Sequence, residues 1–207
     1  MSNGKPTPLL INGWTVFAHP LFLAQLEALA QQVEAFKQKD PVGYLKKNAT
    51  KRLAAITKLA FDVIPQDTTR PEYRQGNTLG DDHKHWFRAK FFQQYRLFFR
   101  YHAPSKVIVF AWVNNEDTKR AYESSDDAYR VFRKMLESGH PPDDWNQLLA
   151  EARAEGQRLQ RFAAGITLQG LASVTNSVVM GHLSWRRKDA LPCDDGYEVA
   201  STLIRLN

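Results

Sequence analysis

Residues 106–113, KVIVFAWV, constrain the fold more than any other stretch. Successive side chains of a strand point to opposite faces, so an apolar run of this length makes both faces greasy. Nearly all of these side chains are β-branched or aromatic. The run is therefore expected as the best-buried strand of a sheet. The chain of 207 residues is 43% hydrophobic, which suffices for a real core in one ordinary domain with an extension, or in two small ones.

Two further strands precede this one. Residues 86–91 (WFRAKF) and 95–101 (YRLFFRY) read as a β-hairpin across Phe92, Gln93 and Gln94, with residues 102–105 turning into the buried strand. Upstream, residues 20–39 set Phe22, Leu26, Leu29, Val33 and Phe36 on one stripe of an amphipathic helix. Pro20 suits its first turn, and Asp40-Pro41 ends it. A second helical pattern over 42–63 puts Leu53, Ile56, Ala60 and Val63 on one face, and the two helices are expected to pair as a helical hairpin. Residues 64–82 read as loop. Downstream, Ser125-Asp126-Asp127 caps a helix over about 126–138 that Gly139 terminates. Past His140-Pro141-Pro142 another helix begins near Asp143. The expected fold is α+β: an N-terminal helical hairpin, an antiparallel sheet of about three to four strands, and C-terminal helices. This domain covers residues 8–156. Residues 157–207 form an extension without clear period. Its basic cluster, residues 184–188, reads as a solvated tail.

The hairpin carries an unusual charge pattern. Residues 85–101, HWFRAKFFQQYRLFFRY, hold eight aromatics and four cations and no carboxylate. Alternation puts Tyr95, Leu97, Phe99 and Tyr101 on one face with Phe87, Ala89 and Phe91. Arg88, Lys90, Arg96 and Arg100 then share the other face with Trp86 and Phe98. Four cations so close repel, and a polyanion relieves the strain: guanidinium forks match phosphate oxygens and aromatic rings stack on bases. The net charge of +6 is in keeping with such a partner. The competing reading pairs these cations with carboxylates such as Glu116, Asp117, Asp126 and Asp127.

Other chemistries find little support. The single Cys193 excludes an internal disulfide framework and a cysteine zinc site, and suits a reducing cytoplasm. Residues 1–10 lack the apolar run of a signal peptide, and no apolar stretch is long enough to span a membrane. His83 and His85 have ligand-like spacing, but no neighbouring carboxylate or cysteine set completes a site, so no metal and no cofactor are expected. Asp81-Asp82, Asp126-Asp127 and Asp143-Asp144 fall at turns or helix starts, where capping explains them. There is no P-loop, dinucleotide fingerprint or serine nucleophile elbow.

The stretches INGWTVFAHP, NATKRLAA, YRLFFRY, KVIVFAWVNNEDTKRAY and DDAYRVFRKMLESGHPPDDW together resemble the YhaV toxins of bacterial toxin–antitoxin systems, within the wider RelE ribonuclease superfamily. The resemblance spans about residues 10–147. It implies a RelE-like fold and a cytoplasmic endoribonuclease that cleaves mRNA, free or on the ribosome. A PrlF-like antitoxin with an AbrB-type domain would hold it in check, and operator DNA would be bound only through that complex. By position, the basic residue two after the hairpin tryptophan is Arg88, and the superfamily arginine of Tyr-Arg-Leu is Arg96. The lysine at the hairpin turn is Lys90, and the later aromatic is Tyr122. The superfamily's further arginine aligns near Glu116, a departure for which Lys119 and Arg120 are the nearest cations.

RNA supplies its own nucleophile, the 2′-OH. Arg88 and Arg96 suit stabilisation of a phosphorane, Lys90 suits a base with its pKa lowered by neighbouring cations, and Tyr122 suits stacking or proton transfer. Trp86, Arg100, Lys119, Arg120 and His85 are the expected RNA contacts. The rival function is a nucleic-acid-binding repressor that never cuts.

Overall fold

The computed structural model describes residues 8–116, 118 and 127–168, with side chains to residue 165. Lys119, Arg120 and Tyr122, the proposed helix start at Ser125-Asp126, and the extension beyond residue 168 lie outside the described residues.

The chain opens with a hairpin that the sequence reading did not expect, β1 (Leu9–Ile11) and β2 (Trp14–Ala18). Its turn is Asn12-Gly13, both with positive φ, 48° and 77°. That is the backbone of the tight turn favoured between twisted antiparallel strands. Helix α1 (Pro20–Lys39) follows, with His19 as N-cap: its Nδ1 accepts from the Leu21 N–H. Helix α2 (Asn48–Lys58) continues through a wide π turn, Leu59–Val63, into the single helical turn α3 (Ile64–Gln66). Pro65 has no N–H to offer the carbonyl four residues earlier and its ring crowds it, which accounts for the widening.

Strands β3 (Phe87–Phe91), β4 (Tyr95–His102) and β5 (Val107–Val113) follow as expected, and every residue of β5 is buried. Helices α4 (Ala128–Glu137) and α5 (Trp145–Ala154) start on the caps Asp127 and Asp144. Gly139, at φ 78°, lies just past the end of α4. A last helix, α6 (Gly156–Leu168), begins at the expected end of the domain. Its Leu159 enters the core, and its Arg158 forks onto Glu27 of α1. Among the described residues no helix is long and apolar enough to cross a membrane.

The sheet corrects the expectation of three to four antiparallel strands. It has five, in the order β1-β2-β5-β4-β3. β2 runs parallel to β5, Thr15 opposite Val107 through Ala18 opposite Phe110, and the other pairs are antiparallel. β5 therefore lies in the middle, with a layer on each face, as its continuous apolar run requires. On one face Ala89, Phe91, Leu97, Phe99 and Phe110 pack against Phe22 and Leu26 of α1 and Leu53 and Ile56 of α2. On the other, Trp86, Phe98, Val109 and Trp112 pack against Phe132 and Leu136 of α4 and Leu148 of α5. Phe132 stacks on Phe98 at 4.1 Å between centroids and meets Trp86 edge-on at 5.0 Å.

Candidate active site

The strand register brings the expected cations to one face. Arg88 lies opposite Phe98, and Lys90 opposite Arg96. That face is not an open surface, however, because α4 and α5 cover its centre, and this corrects the picture of a bare basic platform. Trp86 and Phe98 are fully buried, so neither presents a ring to a base.

The cations divide accordingly. Lys90 is exposed at the outer edge of the sheet. Arg88 is 8% exposed. Its Nε donates to the Tyr129 hydroxyl of α4 at 2.8 Å, and its Nη1 donates to the Glu72 carbonyl. Both partners are neutral, so the guanidinium is held in position while keeping its charge for another anion. Arg88 and Lys90 line a cleft of about 340 Å³ with Leu59, Pro71, Glu72, Tyr73, Arg74 and Ala89. The cleft follows edge strand β3 between the π turn after α2 and the loop 71–74. Arg74 bridges to Phe87, which docks that loop on the strand. Burial pushes the Tyr73 phenol up to about 12, so it keeps its proton at neutral pH.

Arg96 is enclosed, 1% exposed. Its Nη1 donates to the carbonyls of Gln93 and Tyr95, at 2.7 and 2.8 Å, and its guanidinium lies 6.0 Å from the Tyr129 ring. It thus fixes the hairpin turn, and reaching a phosphate requires this end of the sheet to open. Nearby, Glu116 accepts from the Tyr95 hydroxyl and from Asn48 and lies 3.5 Å from Arg52, whose guanidinium sits over the Tyr95 ring. Burial, then the Glu116 hydrogen bond, raises the Tyr95 pKa. Of the carboxylates weighed as partners for the hairpin cations, Asp127 caps α4, accepting from Tyr129 N–H at 2.9 Å.

Arg100 lies at the far end of the hairpin, away from the cleft. It is clamped between the rings of Trp86 and Trp145, 5.5 and 5.3 Å from their centroids, and donates to the Asp143 carbonyl at 2.5 Å. Burial pulls its pKa below the ordinary value, opposed by the Asp143 and Asp144 charges. The geometry packs Arg100 with Trp86 and Trp145 at this end. His85 is at this end too, its Nε2 2.8 Å from Asp143 Oδ1.

Sequence reasoning missed several residues. Glu72 and Arg74 sit in a stretch read only as loop, and the charged run RPEYR within it was the available signal. Tyr129, which holds Arg88, carries no local signal that sets it apart on α4. Asp143 was read as a cap. Asp144 is the cap of α5, accepting from Gln147 N–H at 2.8 Å, whereas Asp143 reaches back to His85 and Trp86.

A family profile described as "toxin with endonuclease activity, of toxin-antitoxin system", that of the YhaV toxins, matches residues 16–153. The chain is 46% identical over 146 residues to "Ribonuclease toxin YhaV" of Escherichia coli K12, covering 70% of this chain and 95% of that protein. It is 47% identical, with the same coverage, to "Toxin YhaV" of Escherichia coli O6:H1 (strain CFT073). No solved structure matches.

Proposed function

The chain belongs to the YhaV family of toxins with endonuclease activity, and from this premise we propose that it is a metal-independent endoribonuclease that cleaves mRNA in the cleft beside β3. The observation that carries the reading is the cleft itself, where Arg74, Arg88 and Lys90 converge on a groove open to solvent. A phosphodiester seated there meets the remaining donors of a pre-aligned guanidinium at Arg88 and an ammonium at Lys90. Arginine stays charged and stabilises the phosphorane. Lys90 lies opposite Arg96 in the strand register and lines the cleft, and in this reading it takes the 2′-OH proton. Arg96 lends positive charge from beneath and reaches the phosphate only if the turn opens. Tyr122, placed by the resemblance, stacks on RNA or assists proton transfer. The RelE-like character of the fold and a PrlF-like antitoxin belong to the same proposal.

The test is incubation of the purified protein with naked RNA and with translating ribosomes, each in chelator, followed by mapping of the ends. Attack by the 2′-OH leaves a 2′,3′-cyclic phosphate and a 5′-hydroxyl. Cleavage only on added metal, or 5′-phosphate ends, overturns the mechanism. Tight, salt-sensitive RNA binding with no cleavage under either condition favours the repressor reading.

A further inference from the structure

We propose that His83, His85 and Asp143 bind one divalent transition-metal ion of the zinc class, at a site distinct from the cleft. The sequence offered the two histidines without a carboxylate, and the fold supplies one from the connector between α4 and α5. The ligand atoms of the three residues all lie within 4.8 Å of one another. Asp143 Oδ1 is 2.8 Å from His85 Nε2, and Asp143 Oδ2 is 3.4 Å from His83 Nδ1. His83 Nδ1 is buried and makes no hydrogen bond, although Asp143 Oδ2 is 3.4 Å away, so this nitrogen is left for another partner. An ion between the imidazoles and the carboxylate satisfies it.

The surroundings are built as the outer shell of a metal site is. The Trp86 indole N–H donates to Asp143 Oδ1 at 2.6 Å and fixes the carboxylate. The His83 carbonyl accepts from Gln75 Nε2 at 2.9 Å and from Trp86 N–H at 3.0 Å, which holds that ligand's backbone. All three ligands are partly exposed, leaving room for water to complete the coordination. His19 makes a useful contrast: it bonds Glu151 at 2.8 Å, but Nδ1 is already used in capping α1.

Two imidazoles and one carboxylate select zinc, nickel or copper over magnesium and calcium, which prefer all-oxygen shells. The Arg100 charge beside Asp143 counts against any cation and moderates the affinity. His85 precedes Arg88 by three residues, roughly 10 Å along a strand. The ion thus pins the loop before β3 to the α4–α5 connector without entering the cleft, and the inference does not rest on the nuclease reading. Because the ion binds only the folded chain, it raises thermal stability.

The experiment is calorimetric titration of the metal-stripped full chain with Zn²⁺, alongside Mg²⁺, with thermal melts. One Zn²⁺ per chain, a raised melting temperature, and loss of both in His83→Gln and His85→Gln but not in His102→Ala support the site. No binding to the wild type, or binding that survives both cluster variants, overturns it. If the cluster variants fail to fold, Zn²⁺ protection of His83 and His85 in the wild type from diethyl pyrocarbonate, located by peptide mass, decides: protection supports the site and equal modification refutes it. Cleavage assays in chelator, run below the melting temperature of the metal-free chain, keep this outcome separate from that of the cleft.

Discussion

Replacement of Arg88 by alanine separates its anchoring role from its proposed chemical one. The anchoring role is substantial. Truncation removes a hydrogen bond to the Tyr129 hydroxyl and one to the Glu72 carbonyl, both neutral acceptors. At about 1.5–3 kcal/mol each, because the donor is charged, the fold loses ~3–6 kcal/mol. For a chain of this size that lowers the melting temperature by roughly 6–24 °C. The proposed chemical role is read separately, as a rate. Removal of one fixed donor from a developing oxyanion slows other enzymes by about 10²–10³-fold, and the loss of a charged donor here should be at least that. The assay is single-turnover cleavage of end-labelled RNA, well below the melting temperature of the variant. Arg88→Lys should recover part of the rate, since charge returns without the fork that engages both anchors. A folded Arg88→Ala protein cleaving within a few-fold of wild type would remove Arg88 from the mechanism. So would a rate loss that only tracks the unfolded fraction.

Lys90→Ala should leave stability within about 0.5 kcal/mol, because the residue is exposed, while reducing cleavage and flattening the salt dependence of RNA binding by roughly 0.7 in log–log slope; an unchanged slope places RNA elsewhere. Phe132→Ala removes the ring stacked against both Phe98 and Trp112 and should cost about 3–5 kcal/mol in urea unfolding; a cost below ~1 kcal/mol contradicts the packing described for that layer. Burial holds the His19 pKa below 6.5, outweighing the upward pull of Glu151. The unfolded chain then takes up its proton first, so this stability is full above the unfolded pKa and is lost as pH falls from there through the folded value. Melting temperature should fall on acidification from neutrality, less so in His19→Gln; equal slopes in the two proteins refute the assignment.

The parts of the fold legible in the sequence were those governed by local period. The β3–β4 hairpin and β5 announced themselves by alternation and by a continuous apolar run, and α1 by its stripe. Most of what escaped was set by contacts distant in sequence, the local β1–β2 hairpin being the exception. β1 and β2 are short, and the Asn12-Gly13 turn was their only strong local mark. The parallel pairing of Thr15 with Val107 has no local signature at all. The same holds for Asp143, which looked like a cap because Asp144 beside it is one, and which meets His85 only through the docking of the α4–α5 connector.

Alternation of side chains assigned the cations to the correct face but could not say whether that face was covered. The composition of the face held a clue. Between Arg100 at one end and Lys90 at the other it carries Trp86 and Phe98, rings too large to leave in water when an amphipathic helix with Phe132 follows downstream. Covering the aromatic middle encloses Arg96 and leaves the other cations toward the rims. Arg100 ends clamped by two indoles at one rim, whereas Lys90 stays in solvent at the other, with Arg88 just inside it. On the proposed reading a polyanion is met along the outer edge of β3, and loop 71–74, which brings Arg74 to the same groove, belongs to the candidate site as much as the hairpin does.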